Sequence, residues 1–157
     1  MPKELPLSNL ASMGETDPIE ELGLDLCVEQ KAKLLDFSNA LLQWNKRTNL
    51  ISKSDERRVF SRHIIDSLSA TSFLVGNSIV DIGSGAGLPG LPLVIASPHK
   101  KFTLYERMKK RAHFMQFVIA NLRIDNAQVI EAPFEEIVSK GESFNCVVSR
   151  GVRSAEA

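Results

Sequence analysis

Apolar residues along this chain follow two different periods, and the change from one to the other falls at Gly76-Asn77. Upstream the spacing is helical. Leu34, Phe37, Leu41 and Trp44 recur at steps of three and four, the apolar stripe of a helix predicted over about 27–45. Phe60, Ile64 and Leu68 recur at steps of four and predict one long helix over about 55–74, with Arg57, Arg58 and Arg62 on its other faces. Ahead of these, Asp17-Pro18 reads as an N-cap followed by proline at the first helical position, and Gly23 as the stop of that short helix. Residues 1–14 show no periodicity and, with Pro2, Pro6, Ser8, Ser12 and Gly14, read as a loose tail.

Downstream, short apolar runs alternate with amphipathic stretches, which is the pattern of a wound α/β sheet. Strands are predicted over 78–82, 101–105, 127–131 and 144–149. Helices are predicted over 91–97, over 108–122 with Met115, Val118, Ile119 and Leu122 toward the sheet, and over 134–138. The organisation is therefore a tail and helical extension over 1–75 followed by an α/β part over 76–157, together one structural domain.

Composition narrows the class. With 157 residues, 43% hydrophobic and 24% charged, the chain is neither disordered nor collagen-like and can bury a core without staples. Cys27 and Cys146 form no CxxC and are expected to be buried, reduced thiols, so neither a metal site nor a disulfide framework is expected. No apolar run approaches the ~20 residues of a membrane span, and the start lacks a signal-peptide profile, so a soluble cytoplasmic protein is expected. Charge balances at 19 basic and 19 acidic residues, but unevenly. The first 29 residues are acidic. Two basic blocks follow, one with Lys46, Arg47, Lys53, Arg57, Arg58 and Arg62, the other with Lys100, Lys101, Arg107, Lys109, Lys110 and Arg111. Such blocks either meet phosphates or form solvated helix faces, and composition alone does not choose.

The candidate chemistry sits where the first strand ends. Val80-Asp81-Ile82-Gly83-Ser84-Gly85-Ala86-Gly87-Leu88-Pro89-Gly90 is a strand running into a glycine-rich turn and then a helix, the place where a ligand can lie against bare backbone. Gly85-x-Gly87-x-x-Gly90 fits the dinucleotide pattern, a weak signal by itself. Two acids sharpen it. Asp81, inside the strand, would repel a pyrophosphate but attract a ligand carrying an ammonium and a sulfonium. Glu106 closes the second strand 23 residues after Gly83, near the spacing at which a carboxylate meets ribose hydroxyls. The pair flanking the loop points to a nucleoside site.

Asp-x-Gly-x-Gly-x-Gly followed by an acid at the next strand end resembles the S-adenosylmethionine-dependent methyltransferases. The longer string from Asp81 through Pro92 is similar to the bacterial ribosomal RNA small subunit methyltransferase G (GidB) family. Further matches follow in order: Trp44-Asn45-Lys46-Arg47-Thr48-Asn49-Leu50, Arg62-His63-Ile64-Ile65-Asp66-Ser67-Leu68, Lys109-Lys110-Arg111 and Ser149-Arg150. At three places the residue differs from the family's usual one: Pro133 for arginine, Asn145 for aspartate and Gly151 for alanine.

The resemblance implies a Rossmann-like class I methyltransferase fold with an N-terminal helical extension, and transfer of a methyl group from S-adenosylmethionine to N7 of a guanosine in 16S rRNA. The family's sheet has further strands beyond the four supplied here, so the resemblance implies a C-terminally truncated chain with the last strands absent. Asp81, Gly83, Gly85, Gly87 and Leu88 would border the cofactor's methionine and nucleoside, Glu106 its ribose, Phe134 and Glu135 its adenine, and Arg150 the reaction side. No catalytic base is nominated, because guanine N7 already offers a free lone pair. The implied partner is 16S rRNA or the small ribosomal subunit, met by a monomer without metal or membrane. His63 is read either as positioning RNA or the loop, or as a satisfied helix histidine. Asp66 is read either as an acceptor for the glycine loop or as a plain polar residue. Another S-adenosylmethionine-dependent methyltransferase, a non-catalytic cofactor- or RNA-binding remnant and, less favoured, a nicotinamide dehydrogenase are the competing readings.

Overall fold

A computed structural model describes residues 16–151; the tail expected over 1–14 lies outside them. The first helix, α1 (Pro18–Glu21), starts as the sequence predicts: Asp17 accepts the Ile19 N–H at 2.9 Å, and Gly23 turns the chain out at φ +72°. The next helix, α2 (Val28–Thr48), buries Leu34, Phe37 and Leu41 completely. It runs one turn further than predicted because Asn49, not Asn45, takes the left-handed terminal position, at φ 49°. Asn45 is buried instead. Its amide donates to Glu56 at 2.7 Å and its carbonyl accepts the Ile51 N–H at 2.9 Å, pinning the chain that follows the helix. Trp44 correspondingly leaves the core stripe and lies half-buried against Phe114 and Phe117, ring centroids 5.4 Å from each.

The single helix expected over 55–74 is not formed. A 3-10 segment (Lys53–Arg58) passes into a π-helical turn (Val59–Ile64), a short α3 (Ile65–Leu68) and a last 3-10 turn (Thr71–Phe73). The π turn is the reason: the Ile65 N–H reaches back five residues to the Phe60 carbonyl, so one extra residue enters the turn. Val59 and Ile64, five apart, thereby both enter the core, Phe60 is turned half out, and His63 is carried inward.

The sheet has four parallel strands among the described residues, β1 (Ser78–Ile82), β2 (Lys101–Tyr105), β3 (Ala127–Ile130) and β4 (Cys146–Val148), in the order β3-β2-β1-β4. The helices α4 (Gly90–Ala96), α5 (Lys109–Asn121) and α6 (Glu136–Ser139) connect them. β1 is central, with Asp81 opposite Leu104 of β2 and Val148 of β4. On one face Ile79, Phe102 and Leu104 join Leu34, Phe37, Leu41, Ile64 and Phe114, so helical extension and sheet share one core. On the other face Val80, Tyr105 and Ala132 pack with Phe134, Ile137 and Phe144. The expectation of two buried thiols is corrected: Cys27 is exposed because it precedes the first turn of α2, and Cys146 is half-buried on the outermost strand.

The lower end of the sheet is tied by two asparagines. Asn126 places one amide within 3.1–3.2 Å of three carbonyls, those of Val94, Ser97 and Lys100. Asn145 accepts the N–H groups of Asn77 and Ser78 at 3.1 and 3.0 Å, a task that the aspartate usual in the family would perform equally well. Removing the Asn126 amide by Asn126→Ala strips donors from part-buried carbonyls and is expected to cost about 1–3 kcal/mol in urea denaturation.

Candidate functional site

The upper end of the sheet is organised around a carboxylate. Strand periodicity turns Asp81 toward the same face as Ile79, beneath the start of α4, where it is 0% exposed. Its Oδ2 accepts the Gly90 N–H at 3.1 Å, and its Oδ1 has no hydrogen-bond partner among the described residues. Burial pushes its pKa up to about 7; the nearby Ser84 hydroxyl, the Gly90 N–H and the positive charge of Arg150 oppose the rise, and the Glu106 charge adds to it. A side chain at position 90 would collide with Asp81 Oδ2 and come within 2.7 Å of Leu104 Cδ2, so the helix begins with glycine by steric necessity.

The loop between Asp81 and Gly90 is held from both sides. The Ser84 N–H extends the sheet to the Tyr105 carbonyl at 3.0 Å, while the Ser84 hydroxyl donates to the Asp81 carbonyl at 3.0 Å. Gly83, Gly85 and Gly87 all take positive φ, and a Cβ at Gly87 would lie 2.5 Å from Leu91 Cδ1. Gly85 differs from its neighbours. A Cβ there would meet nothing nearer than Gly83 O at 3.8 Å and Arg111 Nη1 at 3.9 Å, so this is the point where the loop leaves room against its backbone. Glu106, 4% exposed at the end of β2, accepts the Gly85 N–H with Oε2 and the Met108 N–H with Oε1, both at 2.8 Å.

The nine predicted site residues therefore divide. Asp81, Gly83, Gly85, Gly87 and Glu106 come together at the strand ends. Leu88 is 6% exposed and belongs to the main core. Phe134 packs against the opposite face of the sheet with Tyr105 and Ala132, and Glu135 is exposed just before α6. Arg150 follows β4 and reaches back across the sheet end to the helical extension. There it donates to His63 Nδ1 at 2.8 Å and to Asp66 Oδ2 at 3.4 Å. Asp66, an acceptor for the glycine loop under one reading of the sequence, receives Arg150 instead, because α3 places it outside the loop with its side chain 67% exposed.

Sequence reasoning missed Asp55. Its Oδ2 lies 3.4 Å from His63 Nε2 and its Oδ1 takes Arg62 at 3.2 Å. The Ser52 hydroxyl bonded to it, with help from Arg62 and His63, holds its carboxyl below the usual range. A helical spacing of eight residues would not have paired Asp55 with His63; the 3-10 and π turns between them do. Among the described residues there is no cluster of three or more potential metal ligands, and no helix is long and apolar enough to cross a membrane.

Comparison with known proteins shows the family. The family model for rRNA small subunit methyltransferase G, GidB, matches residues 30–157. Relatives bearing the name ribosomal RNA small subunit methyltransferase G include one from Shewanella piezotolerans, 40% identical over 136 residues, which are 87% of this chain and 65% of the relative. Others are from Shigella flexneri, 37% identical over 87% of this chain and 65% of the relative, and Pseudomonas putida, 38% identical over 87% and 63%. The chain thus spans just under two thirds of the length of these relatives.

The buried carboxyl has a measurable consequence. Since the folded value of about 7 lies above the ordinary ~4 of an unfolded aspartate, the folded state binds more protons between those limits. This contribution to stability is fully present below about pH 4 and is lost as pH rises through 7. Urea denaturation from pH 5 to pH 8 is expected to show stability falling with pH in the parent and a flatter profile in Asp81→Asn.

Proposed function

The chain belongs to the rRNA small subunit methyltransferase G (GidB) family, and from that premise we propose that it binds S-adenosylmethionine against the glycine loop and transfers its methyl group to N7 of a guanosine in 16S rRNA. The observation that carries the reading is the pair of buried carboxylates, Asp81 bonded to the Gly90 N–H at the end of the loop and Glu106 bonded to the Gly85 N–H at its middle, where the backbone is open. Bound S-adenosylmethionine would supply an electrophilic methyl carbon on a positively charged sulfur.

The residues fit such a ligand. Asp81 Oδ1 is a buried acceptor in want of a donor, and a cationic group nearby would favour its ionised form. Glu106 spends one hydrogen bond on the loop at Gly85 and one on the Met108 N–H ahead of α5, and each carboxylate oxygen has a second lone pair to offer a hydroxyl. A pyrophosphate would meet two negative charges here, which disfavours the nicotinamide reading. Glu135 is assigned with Phe134 to the adenine side, and Gly83, Gly87 and Leu88 to shaping the loop around the ligand.

Chemically little more is required. Guanine N7 presents an unprotonated lone pair, so the protein need not remove a proton before attack; it must hold nucleophile and methyl carbon in line and keep water out. Arg150, two residues beyond β4, would face the incoming nucleotide. The two basic blocks would meet RNA phosphates, which position a substrate without reading its sequence. The proposed setting is the cytoplasm, with the protein acting as a monomer on small-subunit RNA.

Calorimetric titration with S-adenosylmethionine tests the cofactor site. The parent is expected to bind, and Gly85→Asp, whose side chain fills the open space against the loop where the ligand would lie, is expected to lose binding; aspartate is among the residues that tolerate the φ of +58° at this position, and a thermal melt checks that the variant remains folded. Absence of binding by the folded parent, or equal binding by both proteins, would contradict the assignment.

A further inference from the structure

Arg150 is the one predicted site residue anchored by the helical extension rather than by the glycine loop. Its guanidinium meets two residues of that extension, 87 and 84 positions away in sequence, with Nη2 at 2.8 Å from His63 Nδ1 and Nη1 at 3.4 Å from Asp66 Oδ2. The chemistry of the shorter contact is one-directional. A guanidinium has only donors, so His63 Nδ1 must be the acceptor, which places the ring's single proton on Nε2 and makes the imidazole neutral. The remaining groups facing the ring support that state unequally. Burial comes first in holding the His63 pKa below the ordinary histidine value, and the charges of Arg150 and Arg62 act in the same direction. Only Asp55, at 3.4 Å from Nε2, opposes them.

We propose that His63 is a positioning residue for methyl transfer: its neutral Nδ1 fixes the guanidinium of Arg150 at the end of β4, facing the space where the target nucleotide must enter. The inference rests on the methyltransferase reading above and assigns one of its parts. His63 is 9% exposed and sits in the π turn, which carries it inward beside the buried Val59 and Ile64. Asp66 alone would leave Arg150 loosely held, since its side chain is 67% exposed and its contact is long. The buried histidine supplies the fixed end. Protonating it removes the acceptor lone pair and sets two cations 2.8 Å apart, so acid should release Arg150 without unfolding the sheet.

Two measurements on the 157-residue chain decide the matter. Long-range 1H–15N NMR of the three histidines is expected to show His63 neutral at pH 7 with its proton on Nε2, and Arg150→Ala is expected to raise its titration midpoint. A ring protonated on Nδ1, or a midpoint that Arg150→Ala leaves unchanged, overturns the contact. The second measurement is single-turnover methyl transfer to small ribosomal subunits across pH 5.5–8.5, with S-adenosylmethionine saturating at every pH so that the titration of Asp81 on cofactor binding does not enter. His63→Gln, whose carbonyl accepts but does not titrate, is expected to keep parent-like transfer at pH 8 and to lose the parent's fall toward acid. His63→Ala is expected to transfer roughly 10- to 100-fold more slowly at every pH while binding S-adenosylmethionine as the parent does. Parent-like transfer by His63→Ala, or an acid fall that survives in His63→Gln, overturns the positioning role. If the parent itself transfers no methyl group, the proposed function falls and the positioning role with it, while the NMR result still decides the contact between His63 and Arg150.

Discussion

The hydrogen bond from the Gly90 N–H to the carboxylate of Asp81 is the contact on which the upper half of this protein depends. It joins the central strand to the first helix that follows it, and it can form only because position 90 has no side chain. Around it the loop closes in a fixed order: Ser84 prolongs the sheet, Gly87 tucks beneath Leu91, and Glu106 draws the Gly85 N–H toward the neighbouring strand. The arrangement carries a cost. A carboxyl with no exposure and one unpartnered oxygen is held partly protonated near neutrality, a poor choice for stability and a good one for receiving a cation.

The helical extension is more than packing. Leu34, Phe37 and Leu41 bury α2 in the same core as Ile79 and Leu104, and the Gln30 amide ties its first turn to the Ile95 carbonyl at 3.0 Å at the far end of α4. Asn45 then fixes the chain leaving α2, so that the 3-10 and π turns present His63 and Asp66 to Arg150. Two halves of the site, one built on glycines and carboxylates and one on a histidine and an arginine, are thus carried by different parts of the sequence and meet at the ends of β1 and β4.

Much of this was legible before the fold was known. All four strands fall within two or three residues of their predicted bounds, because β-branched and aromatic runs bounded by Gly, Pro and Asn have few other readings. The loop and its acids were equally plain, since glycines at a strand-to-helix turn have a steric reason to be there. The segment over 55–74 was misread because Phe60, Ile64 and Leu68 match a regular helix, whereas the π turn substitutes Val59 for Phe60 and leaves no periodic trace. The helix end was set short of Thr48 because the burial of Asn45 rests on its bonds to Glu56 and Ile51, tertiary contacts that the spacing of apolar residues does not show. Contacts such as Arg150 with His63, set by tertiary approach across 87 residues, carry no local signal at all.

The proposed cofactor site requires Asp81 to be a proton-holding acceptor for a cationic ligand. Calorimetric titration with S-adenosylmethionine at pH 6.5, repeated in buffers of different ionisation enthalpy, counts the protons exchanged on binding. Since the free carboxyl titrates near 7 and a bound cation lowers that value, binding should release up to about one proton per ligand, and Asp81→Asn should abolish the release. Binding with no proton release, or with a release that survives in Asp81→Asn, would contradict it.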